Sequence, residues 1–341
     1  MSEQMLAGVF VSEGVLEVRQ RPIPHLQNPD DVLIRIEGCG LCGTDLHILA
    51  VPPGVPATPG VTLGHEFLGE VVDVGSAVRH LSVGDRVVVD ANLKCGLCRY
   101  CRKGLINHCE NWMTLGIHID GGFTRYAVAP QRALHPLSKE VPFEDAVWTE
   151  LLSCVVASTD RVAIQPGQTA AVIGAGPVGV LHGMLFKAAG AQVIISDVAP
   201  MRLGMARKAG LDVMVNVKEA SLAEAVADLT AGMGADVVVD AVGSQFQTCL
   251  DVVARRGVVS LFGMDERAHP PVQQNTITRH EITVFGSYVG YYTFPRAIQI
   301  LERGVIKPSV LISHMLLIDE MLAGVEAARQ REAMKVVITP A

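Results

Sequence analysis

The sequence predicts an α/β protein with two domains, a mostly-β region followed by a doubly wound parallel sheet. Three observations support this prediction. The chain has 341 residues, more than one hydrophobic core usually serves. About the first ninety residues contain short alternating runs separated by turns rich in Pro, Gly and Asp. From Gln168 onward, strand patterns alternate with helix patterns, which is typical of a parallel sheet covered on both faces.

The first region is predicted to consist of strands that turn one face to a core. Val32, Ile34 and Ile36 occupy every second position of one run, as the two-residue period of a half-buried strand requires. Val51–Gly60 carries four prolines and is predicted to be a loop. The strands that we expect here are Gly14–Arg19, Asp31–Glu37, Gly69–Val74, Asp85–Val89 and, further along, Phe123–Val128.

Three kinds of metal-ligating side chain occur on either side of this loop. Cys42 supplies a thiolate, His65 an imidazole and Glu66 a carboxylate. Catalytic zinc sites use this mixture of ligands and leave one coordination position open for water or substrate. A lone cysteine and a lone histidine about twenty residues apart are more often structural. The prediction of a catalytic zinc site therefore depends on the residues around them.

Two polar residues, Thr44 and His47, follow Cys42 closely enough to lie beside any metal that it holds. Each has a simpler explanation. Thr44 could cap the turn that follows the cysteine, and His47 could be a solvated surface histidine.

The placement of the cysteines predicts a second metal site. Six of the eight cysteines lie between Cys39 and Cys109, and such clustering suggests metal ligation rather than disulfides. Repeated C-x2-C spacing lets four thiolates fill the shell of one tetrahedral ion. An iron–sulfur cluster or redox-active dithiols are the alternatives, but no second cluster motif occurs and Cys109 is not followed by proline. The predicted ligands of this structural zinc are Cys95, Cys98, Cys101 and Cys109.

An acidic residue, Glu150, lies near the start of a helical stretch that begins around Val147. It is a candidate further ligand of the catalytic metal. By its position alone it is an acid near a helix start, where the helix dipole favours negative charge. The residues by themselves leave both interpretations open.

The region after Gln168 is predicted to form a doubly wound nucleotide-binding fold. Each strand is followed by a helix, and the helices are expected to begin near Gly174, Met201, Ser221 and Gln245. The expected strands are Thr169–Ile173, Gln192–Ser196, Val213–Val217, Asp236–Asp240, Val258–Phe262 and Ile282–Phe285.

A glycine-rich turn, GAGPVG, connects the first of these strands to its helix. Gly174 permits the tight turn, Gly176 lets the backbone approach a pyrophosphate, and Gly179 lets the helix pack against the sheet. A lone GxGxxG is weak evidence, but this one follows a strand, opens a helix and precedes an acid at the end of the next strand. We predict a dinucleotide site that also includes Pro177 and Val178.

The acid at the end of the second strand is Asp197, which is placed to accept hydrogen bonds from the adenosine ribose. Its carboxylate would repel a 2′-phosphate by roughly 4 kcal/mol per charge at about 4 Å and an effective dielectric near 20. NAD is therefore predicted over NADP. Arg202 leaves the alternative open, since a nearby arginine can accommodate the 2′-phosphate.

The remaining elements are too few to form a domain of their own. Helices are expected around Phe294–Glu302 and Asp319–Ala328, with a final strand Lys335–Ile338, and we predict that they complete the N-terminal lobe. The net charge of −7 argues against nucleic-acid binding, and no apolar run reaches the length of a membrane span. The N-terminus lacks a secretory signal pattern, so a cytoplasmic enzyme is expected.

The segment from Gly64 matches the pattern GHE-x2-G-x5-G-x2-V, with Gly69, Gly75 and Val78 at its later fixed positions. With the cysteine cluster and the GxGxxG turn, the chain resembles the zinc-dependent medium-chain dehydrogenases over essentially its whole length. The resemblance implies a GroES-like catalytic domain (residues 1–148 and 287–341, with a structural zinc lobe at 90–112) and a Rossmann domain (149–286).

The CGTDLH stretch that starts at Cys42 is similar to the threonine and polyol dehydrogenases of that superfamily. Glu150 stands where other alcohol dehydrogenases carry a cysteine ligand and sorbitol-dehydrogenase-like enzymes carry glutamate. The resemblance therefore implies Cys42, His65 and Glu150 around the catalytic zinc, with Glu150 bound directly or through water. Glu66 would exchange with Glu150 or lie just behind it.

The implied reaction moves a hydride between a secondary alcohol, a polyol or vicinal diol, and NAD. One stretch departs from sorbitol dehydrogenases: GSYVG, at 286–290, replaces their Arg-Tyr pair and is more similar to microbial alcohol dehydrogenases. A simple alcohol or butanediol dehydrogenase is therefore the main alternative, followed by threonine-dehydrogenase-like oxidation of an amino alcohol. A non-catalytic NAD-binding sensor is a different class of function, and the presence of Cys42, His65 and Glu66 argues against it.

The resemblance also implies a proton path and further coenzyme contacts. Thr44 would accept the substrate proton and His47 would pass it to solvent. A homo-oligomer, tetramer or dimer, is expected. The additional residues predicted to contact the coenzyme are Val242, Phe262, Gly263, Met264, Ser287 and Tyr288.

Overall fold

The structure is a computed structural model that describes residues 3–340. These residues form two compact units. The first runs to Leu151 and takes in Phe294–Arg303 and the chain from Ile312 onward. The second comprises Leu152–Thr293 and Gly304–Leu311. The predicted fold class, a mostly-β domain with a doubly wound parallel-sheet domain, is confirmed.

The secondary structure follows the order of the chain. The strands are β1 Gln4–Ser12, β2 Val15–Pro22, β3 Asp31–Gly40, β4 Glu66–Val74, β5 Arg86–Val89, β6 Asn92–Leu93, β7 Met113–Thr114, β8 Tyr126–Pro130, β9 Leu134–Pro136, β10 Thr169–Ile173, β11 Gln192–Asp197, β12 Val213–Asn216, β13 Ala235–Asp240, β14 Val253–Leu261, β15 Thr283–Gly286, β16 His314–Leu317 and β17 Val336–Thr339. The helices are α1 Gly43–Ile48, α2 Phe143–Ala146, α3 Thr149–Thr159, α4 Pro177–Ala188, α5 Pro200–Lys208, α6 Leu222–Leu229, α7 Phe246–Val252, α8 Gln274–His280, α9 Phe294–Glu302 and α10 Met321–Arg329. Short 3₁₀ turns occupy Cys101–Lys103, Ile106–His108, Gln131–Ala133, Pro308–Leu311 and Ile318–Glu320.

The C-terminal part of the chain is shared between the two units. The prediction gave 287–341 to the first domain as one piece. In the structure the second unit continues to Thr293 and also takes in Gly304–Leu311. The physical reason for the second segment is that its turn Pro308–Leu311 packs against α5.

The first unit is organised around a seven-stranded sheet in the order β16-β17-β3-β4-β5-β9, with β8 also paired to β3. Val32 and Ile34 are fully buried, as the alternating pattern predicted. Antiparallel pairing places Gly40 opposite Glu66 of β4 on one side and opposite Val337 of β17 on the other. The C-terminal strand β17 therefore lies next to the strand pair that carries the candidate metal ligands.

The second unit is a six-stranded sheet in the order β12-β11-β10-β13-β14-β15, and every neighbouring pair is parallel. Residues on the central strands such as Ala171, Ile194 and Val238 are fully buried, as expected when helices cover both faces. Ile173, Ser196 and Asp240 are in register near the carboxyl ends of adjacent strands. That edge is where ligands bind in sheets of this kind.

Several elements were not predicted, among them β1, β16 and the short helix α1. In β1, Ala7, Val9 and Phe10 are all buried, so the two-residue period is lost. The strand predicted at Phe123–Val128 begins only at Tyr126, because Phe123 makes separate backbone bonds to Leu63 and Gly8.

Within residues 3–340, each helix falls short of the length and apolarity needed to cross a bilayer.

Candidate metal centres and coenzyme site

Cys42, His65 and Glu66 bring their donor atoms together in the first unit. One donor atom from each residue lies within 4.8 Å of the other two. Cys42 immediately precedes α1, whereas His65 and Glu66 lie at the start of β4. The loop between them returns the chain, so residues that are distant in sequence meet. Thiolate, imidazole and carboxylate are a donor set that suits zinc.

One buried atom of this cluster supports a metal. Within the described part of the chain, Glu66 Oε1 is shielded from solvent and has no hydrogen-bond partner. Buried polar atoms normally have one, so an orphaned acceptor beside a thiol requires an explanation. A bound zinc ion would satisfy this oxygen.

A second layer of polar groups lies behind His65, and the sequence prediction missed it. Asp45 is fully buried; its Oδ2 accepts a hydrogen bond from Cys42 N at 2.9 Å, and its Oδ1 lies 3.6 Å from His65 Nδ1. Burial opposes a charge on His65, but Asp45 and Cys42 prevail and raise the pKa of this imidazole well above its ordinary value. The signal that could have revealed Asp45 is its place three residues after the cysteine, since metal-bound histidines usually face a carboxylate.

Lys335 is the other residue that sequence reasoning missed. Its Nζ donates to Glu66 Oε2 from 269 residues away, and both side chains are buried. Burial would raise the pKa of Glu66, but the positive charge of Lys335 prevails and lowers it. No local pattern could have indicated this contact, because Lys335 lies just before β17 and only the sheet brings it to β4.

Glu150 lies outside the three-residue cluster but is linked to it electrostatically. It is buried at the start of α3. Burial and the negative charge of Glu66 raise the pKa of Glu150 to about 7, against an opposing contribution from His65. The structure therefore places two carboxyl groups near the candidate metal, with Glu66 the nearer to Cys42 and His65.

Thr44 and His47 both lie on α1. Thr44 Oγ1 is 3.6 Å from Cys42 Sγ, so this hydroxyl borders the cluster. His47 is exposed to solvent, and its backbone carbonyl accepts a hydrogen bond from Gly54 N at 2.9 Å. One side chain is near the candidate metal and the other reaches water.

The four cysteines between positions 95 and 109 form a second, separate cluster, with their sulfur atoms all within 4.8 Å of one another. Cys98 N lies 3.3 Å from Cys95 Sγ, and Cys101 N lies 3.5 Å from Cys98 Sγ. N–H donors aimed at sulfur stabilise thiolates: the pKa of Cys95 falls to about 6, chiefly through the backbone N–H of Leu97. None of the eight cysteines, which all lie within residues 3–340, forms a disulfide. This donor set suits a closed structural zinc.

The glycine-rich turn has the geometry that a dinucleotide requires. Gly174 has φ +99°, which lies in the left-handed region, and its N–H donates to Ser196 O at 2.8 Å. A Cβ at Gly179 would collide with the carbonyl oxygen of Gly174, so helix and turn are in close contact. Gly176 is the N-cap of α4 and Pro177 begins it, which leaves the helix N-terminus open to an anion.

Asp197 ends β11 and is tied to the same turn. Its Oδ2 accepts a hydrogen bond from Ala175 N at 2.8 Å, and its Oδ1 accepts one from Ala199 N at 2.9 Å. Arg202 Nη1 lies 3.9 Å from Oδ2. The carboxylate is thus fixed in place while each oxygen keeps a lone pair for a ribose hydroxyl.

The other residues predicted to contact coenzyme follow the carboxyl ends of strands β13, β14 and β15. Parallel strands present these ends at one edge, the edge that also carries the glycine-rich turn. Asp240, which the prediction did not include, ties one of these loops down by accepting from Val242 N, Gly243 N and Gln245 N. The predicted residues at this edge are Val242, Phe262, Gly263, Met264, Ser287 and Tyr288.

Two protein-family models match successive parts of the chain. Residues 28–139 match the alcohol dehydrogenase GroES-like domain, and residues 177–303 match the zinc-binding dehydrogenase model. The chain is 30% identical to the sorbitol dehydrogenase of Bacillus subtilis, over 99% of this chain and 98% of that protein. It is 34% identical to the L-threonine 3-dehydrogenase of Chelativorans sp., over 96% of each.

A solved structure extends the similarity to three dimensions. A protein described as a zinc-binding dehydrogenase from Sinorhizobium meliloti 1021, bound to NADP, superposes with a TM-score of 0.93 at 32% identity, covering 99% of this chain and all of that one. The chain therefore belongs to the zinc-binding dehydrogenases with a GroES-like domain, the zinc-dependent medium-chain superfamily, and works with zinc and a nicotinamide coenzyme.

Proposed function

We propose that this enzyme oxidises a secondary alcohol with a neighbouring hydroxyl, a polyol or vicinal diol, to a hydroxyketone with reduction of NAD. The observation that carries the proposal is the cluster of Cys42, His65 and Glu66 with a second acid, Glu150, in electrostatic contact. The named activities of relatives support it. They include sorbitol, D-arabinitol and L-threonine dehydrogenases, and each of these compounds carries a polar group beside a hydroxyl.

The proposed ligands of the catalytic zinc are Cys42, His65 and Glu66, and Glu150 completes the site directly or through water. When bound, zinc acts as a Lewis acid on the substrate hydroxyl. Asp45 holds Cys42 N and faces His65, which orients both ligands. The second zinc is held by Cys95, Cys98, Cys101 and Cys109 and has a structural role.

We assign the transfer of the substrate proton to two residues on α1. The hydroxyl of Thr44, 3.6 Å from Cys42 Sγ, accepts the proton from the substrate hydroxyl while releasing its own, so that it acts as a relay. His47 is exposed, accepts the relayed proton and passes it to water. The vicinal hydroxyl of a diol is a hydrogen-bond partner for Glu150, which a mono-alcohol does not offer. This difference is the basis for the proposed preference.

We infer NAD rather than NADP as the coenzyme. Two backbone N–H groups hold the carboxylate of Asp197 at the end of β11, the position from which an acid accepts hydrogen bonds from the adenosine ribose. A 2′-phosphate on that ribose would lie beside this charge. Repulsion of roughly 4 kcal/mol per charge at about 4 Å opposes that phosphate. Arg202 offsets part of this repulsion because it lies 3.9 Å from the carboxylate.

We also propose a cytoplasmic homo-oligomer, a tetramer or dimer. None of the eight cysteines, all of which lie in the described part of the chain, forms a disulfide, and this is typical of a reducing compartment. Within the described part of the chain, β15 is an edge strand that pairs on one side only, and such edges are usually covered. Light scattering of the purified protein measures the oligomeric state.

The proposed function is tested by following NADH absorbance with a panel of substrates. Sorbitol and 2,3-butanediol should give a higher kcat/KM than 2-butanol, with about 1.4 kcal/mol of transition-state discrimination for each tenfold preference. A chelator that removes the catalytic zinc should abolish the signal. Equal or better activity on 2-butanol would replace the diol proposal by a simple alcohol dehydrogenase, which the Ser287-Tyr288 stretch favours.

L-threonine belongs in the same panel. Faster oxidation of threonine than of any diol would move the assignment to amino alcohols. Absence of NADH formation with every substrate would favour a non-catalytic NAD-binding protein.

A further inference from the structure

Lys335 and Glu66 form an ion pair that is buried almost completely, with 2% and 1% of their side chains exposed. The ammonium group also lies over the ring of Trp148, 5.2 Å from its centre. A carboxylate on one side and an aromatic face on another hold the cation in one place.

The backbone of Lys335 is fixed as well. Its carbonyl oxygen accepts hydrogen bonds from Ser313 N at 3.0 Å and Ser313 Oγ at 3.0 Å, and from His314 N at 3.2 Å. Its own N–H donates to Ser313 Oγ at 3.3 Å. Lys335 therefore approaches Glu66 from a rigid support.

The side chain reaches Glu66 across strand β3, and a glycine makes this possible. Gly40 lies between β17 and β4, opposite Val337 on one side and Glu66 on the other. A Cβ at position 40 would lie 2.9 Å from Lys335 Nζ and closer still to Glu66 Oε2. Any larger residue at this position would push the ion pair apart.

The contact engages only one side of the carboxylate. Lys335 binds Glu66 Oε2, whereas Oε1 is buried and, in the described part of the chain, lacks a hydrogen-bond partner. A donor oxygen of Glu66 lies within 4.8 Å of the donor atoms of Cys42 and His65. One oxygen is thus anchored and the other is left for a ligand.

We propose that Lys335 is a positioning residue of the catalytic metal centre, which anchors Glu66 by Oε2 so that Oε1 alone is presented beside Cys42 and His65. This inference rests on the proposed function, because it requires zinc at that cluster. An anchored carboxylate loses little rotational freedom on binding and binds through one oxygen, which leaves room for substrate oxygens.

A simpler role must be separated from this one. Lys335 could act only as a counter-charge that allows Glu66 to be buried. A counter-charge affects folding stability, whereas a positioning residue also affects how the metal is held. The tests therefore measure the metal directly.

The first test replaces Lys335 by methionine, which keeps the length of the side chain and removes the donor. The expected result is that a chelator removes the catalytic zinc about tenfold to a hundredfold faster than from the wild type. The rate at which the structural zinc is released should not change. Cobalt(II) substituted at the catalytic site should show altered d–d absorption bands. Lys335→Arg, which can still donate to Oε2, should recover much of the wild-type behaviour.

The second test leaves every charge in place. Gly40→Ala puts a methyl group into the path of the ion pair, and faster zinc release with an altered cobalt spectrum is expected again. Lys187→Met is the matched control for Lys335→Met, because it likewise removes the lysine of a lysine–carboxylate pair (Lys187 to Asp212), but in the other unit. It should leave both readouts at the wild-type values.

A folded Lys335→Met protein with the wild-type release rate and cobalt spectrum would overturn the inference. If Lys335→Met fails to fold, the same two measurements are made on Gly40→Ala. A folded Gly40→Ala protein with the wild-type release rate and cobalt spectrum would then overturn the inference. Failure of the proposed function would be visible earlier and differently, as a wild-type protein that binds no metal at Cys42.

Discussion

The two metal centres are built in opposite ways. The four cysteines of the structural centre lie between positions 95 and 109, and short turns alone bring their sulfur atoms together. The catalytic centre gathers Cys42 from the start of a helix and His65 and Glu66 from β4, with Lys335 from the far end of the chain behind them. One centre depends on local spacing, and the other depends on the sheet.

This difference has consequences for stability and for function. A local site is a folding element for its own lobe, because all of its ligands come from one short stretch of the chain. A site assembled by a sheet is held by the sheet whether or not metal is bound. Loss of a ligand should therefore damage the fold at the first centre and the chemistry at the second.

Cys98→Ser should have the largest effect, because it opens a closed four-thiolate site whose binding free energy is on the order of 10 kcal/mol. We expect loss of one zinc per chain and a lower Tm, or failure of the lobe to fold. Zinc analysis and thermal unfolding measure both. Cys154→Ser, which removes a buried thiol outside both clusters, should keep two zinc ions. A stable, two-zinc Cys98→Ser protein would refute the structural role.

Cys42→Ser should have the next largest effect, and on activity rather than on the fold. Removing the thiolate ligand should lower kcat/KM by about a thousandfold or more, equivalent to roughly 4 kcal/mol. The Tm should change little, because the seven-stranded sheet stays intact. A large drop in Tm, with activity retained in the folded fraction, would show that the Cys42 centre supports the fold rather than the chemistry. The proposed difference between the two centres would then be wrong.

A pH effect on stability is predicted in the second unit, away from both metals. His182 is fully buried, its Nδ1 lies 2.9 Å from Val178 O, and burial lowers its pKa to about 4. The unfolded chain binds a proton near pH 6.5, so between about pH 6.5 and 4 it holds more protons than the folded state. Stability should therefore fall as the pH falls through that window, by about 3 kcal/mol at most from this group.

The unfolding free energy of the wild type and of His182→Leu, measured from pH 7 to pH 4, tests this expectation. His182→Leu should flatten the pH dependence, whereas replacement of the exposed His269 should not. Identical slopes in the wild type and His182→Leu would exclude His182 as the source.

Asp197→Ala should have the smallest effect of the four. It removes a charged acceptor for the ribose, a loss of roughly 1.5–3 kcal/mol, so the KM for NAD should rise about tenfold to a hundredfold. The KM for NADP should fall, because the repulsion between the Asp197 carboxylate and the 2′-phosphate disappears. Both zinc ions should remain. A wild type that already prefers NADP would show that Arg202 outweighs Asp197.

The sequence predicted the parts of the molecule that have a local signature. The cysteine spacing, the GxGxxG turn and the strand Thr169–Ile173 were all visible as patterns, because their geometry is set by neighbours in the chain. Glu66 and Glu150 were recognised as candidates, but which of them lies nearer to Cys42 required the fold.

The remaining features depend on contacts between distant residues. Lys335 meets Glu66 only because β17 pairs with β3 at Gly40, and nothing near Lys335 in the sequence indicates that pairing. Asp45 could have been found, since a carboxylate close to the ligands is common behind a metal-bound histidine. Strand β1 was missed because burial on both sides removed its alternation.

The most direct test of two differently built zinc centres is anomalous diffraction at the zinc edge from crystals of the wild-type enzyme. Two zinc peaks per chain are expected, one of them surrounded by the sulfur atoms of Cys95, Cys98, Cys101 and Cys109. The other should lie at Cys42 Sγ, His65 and Glu66 Oε1, with Lys335 on Glu66 Oε2. A single peak, or a second zinc away from Cys42, would contradict it.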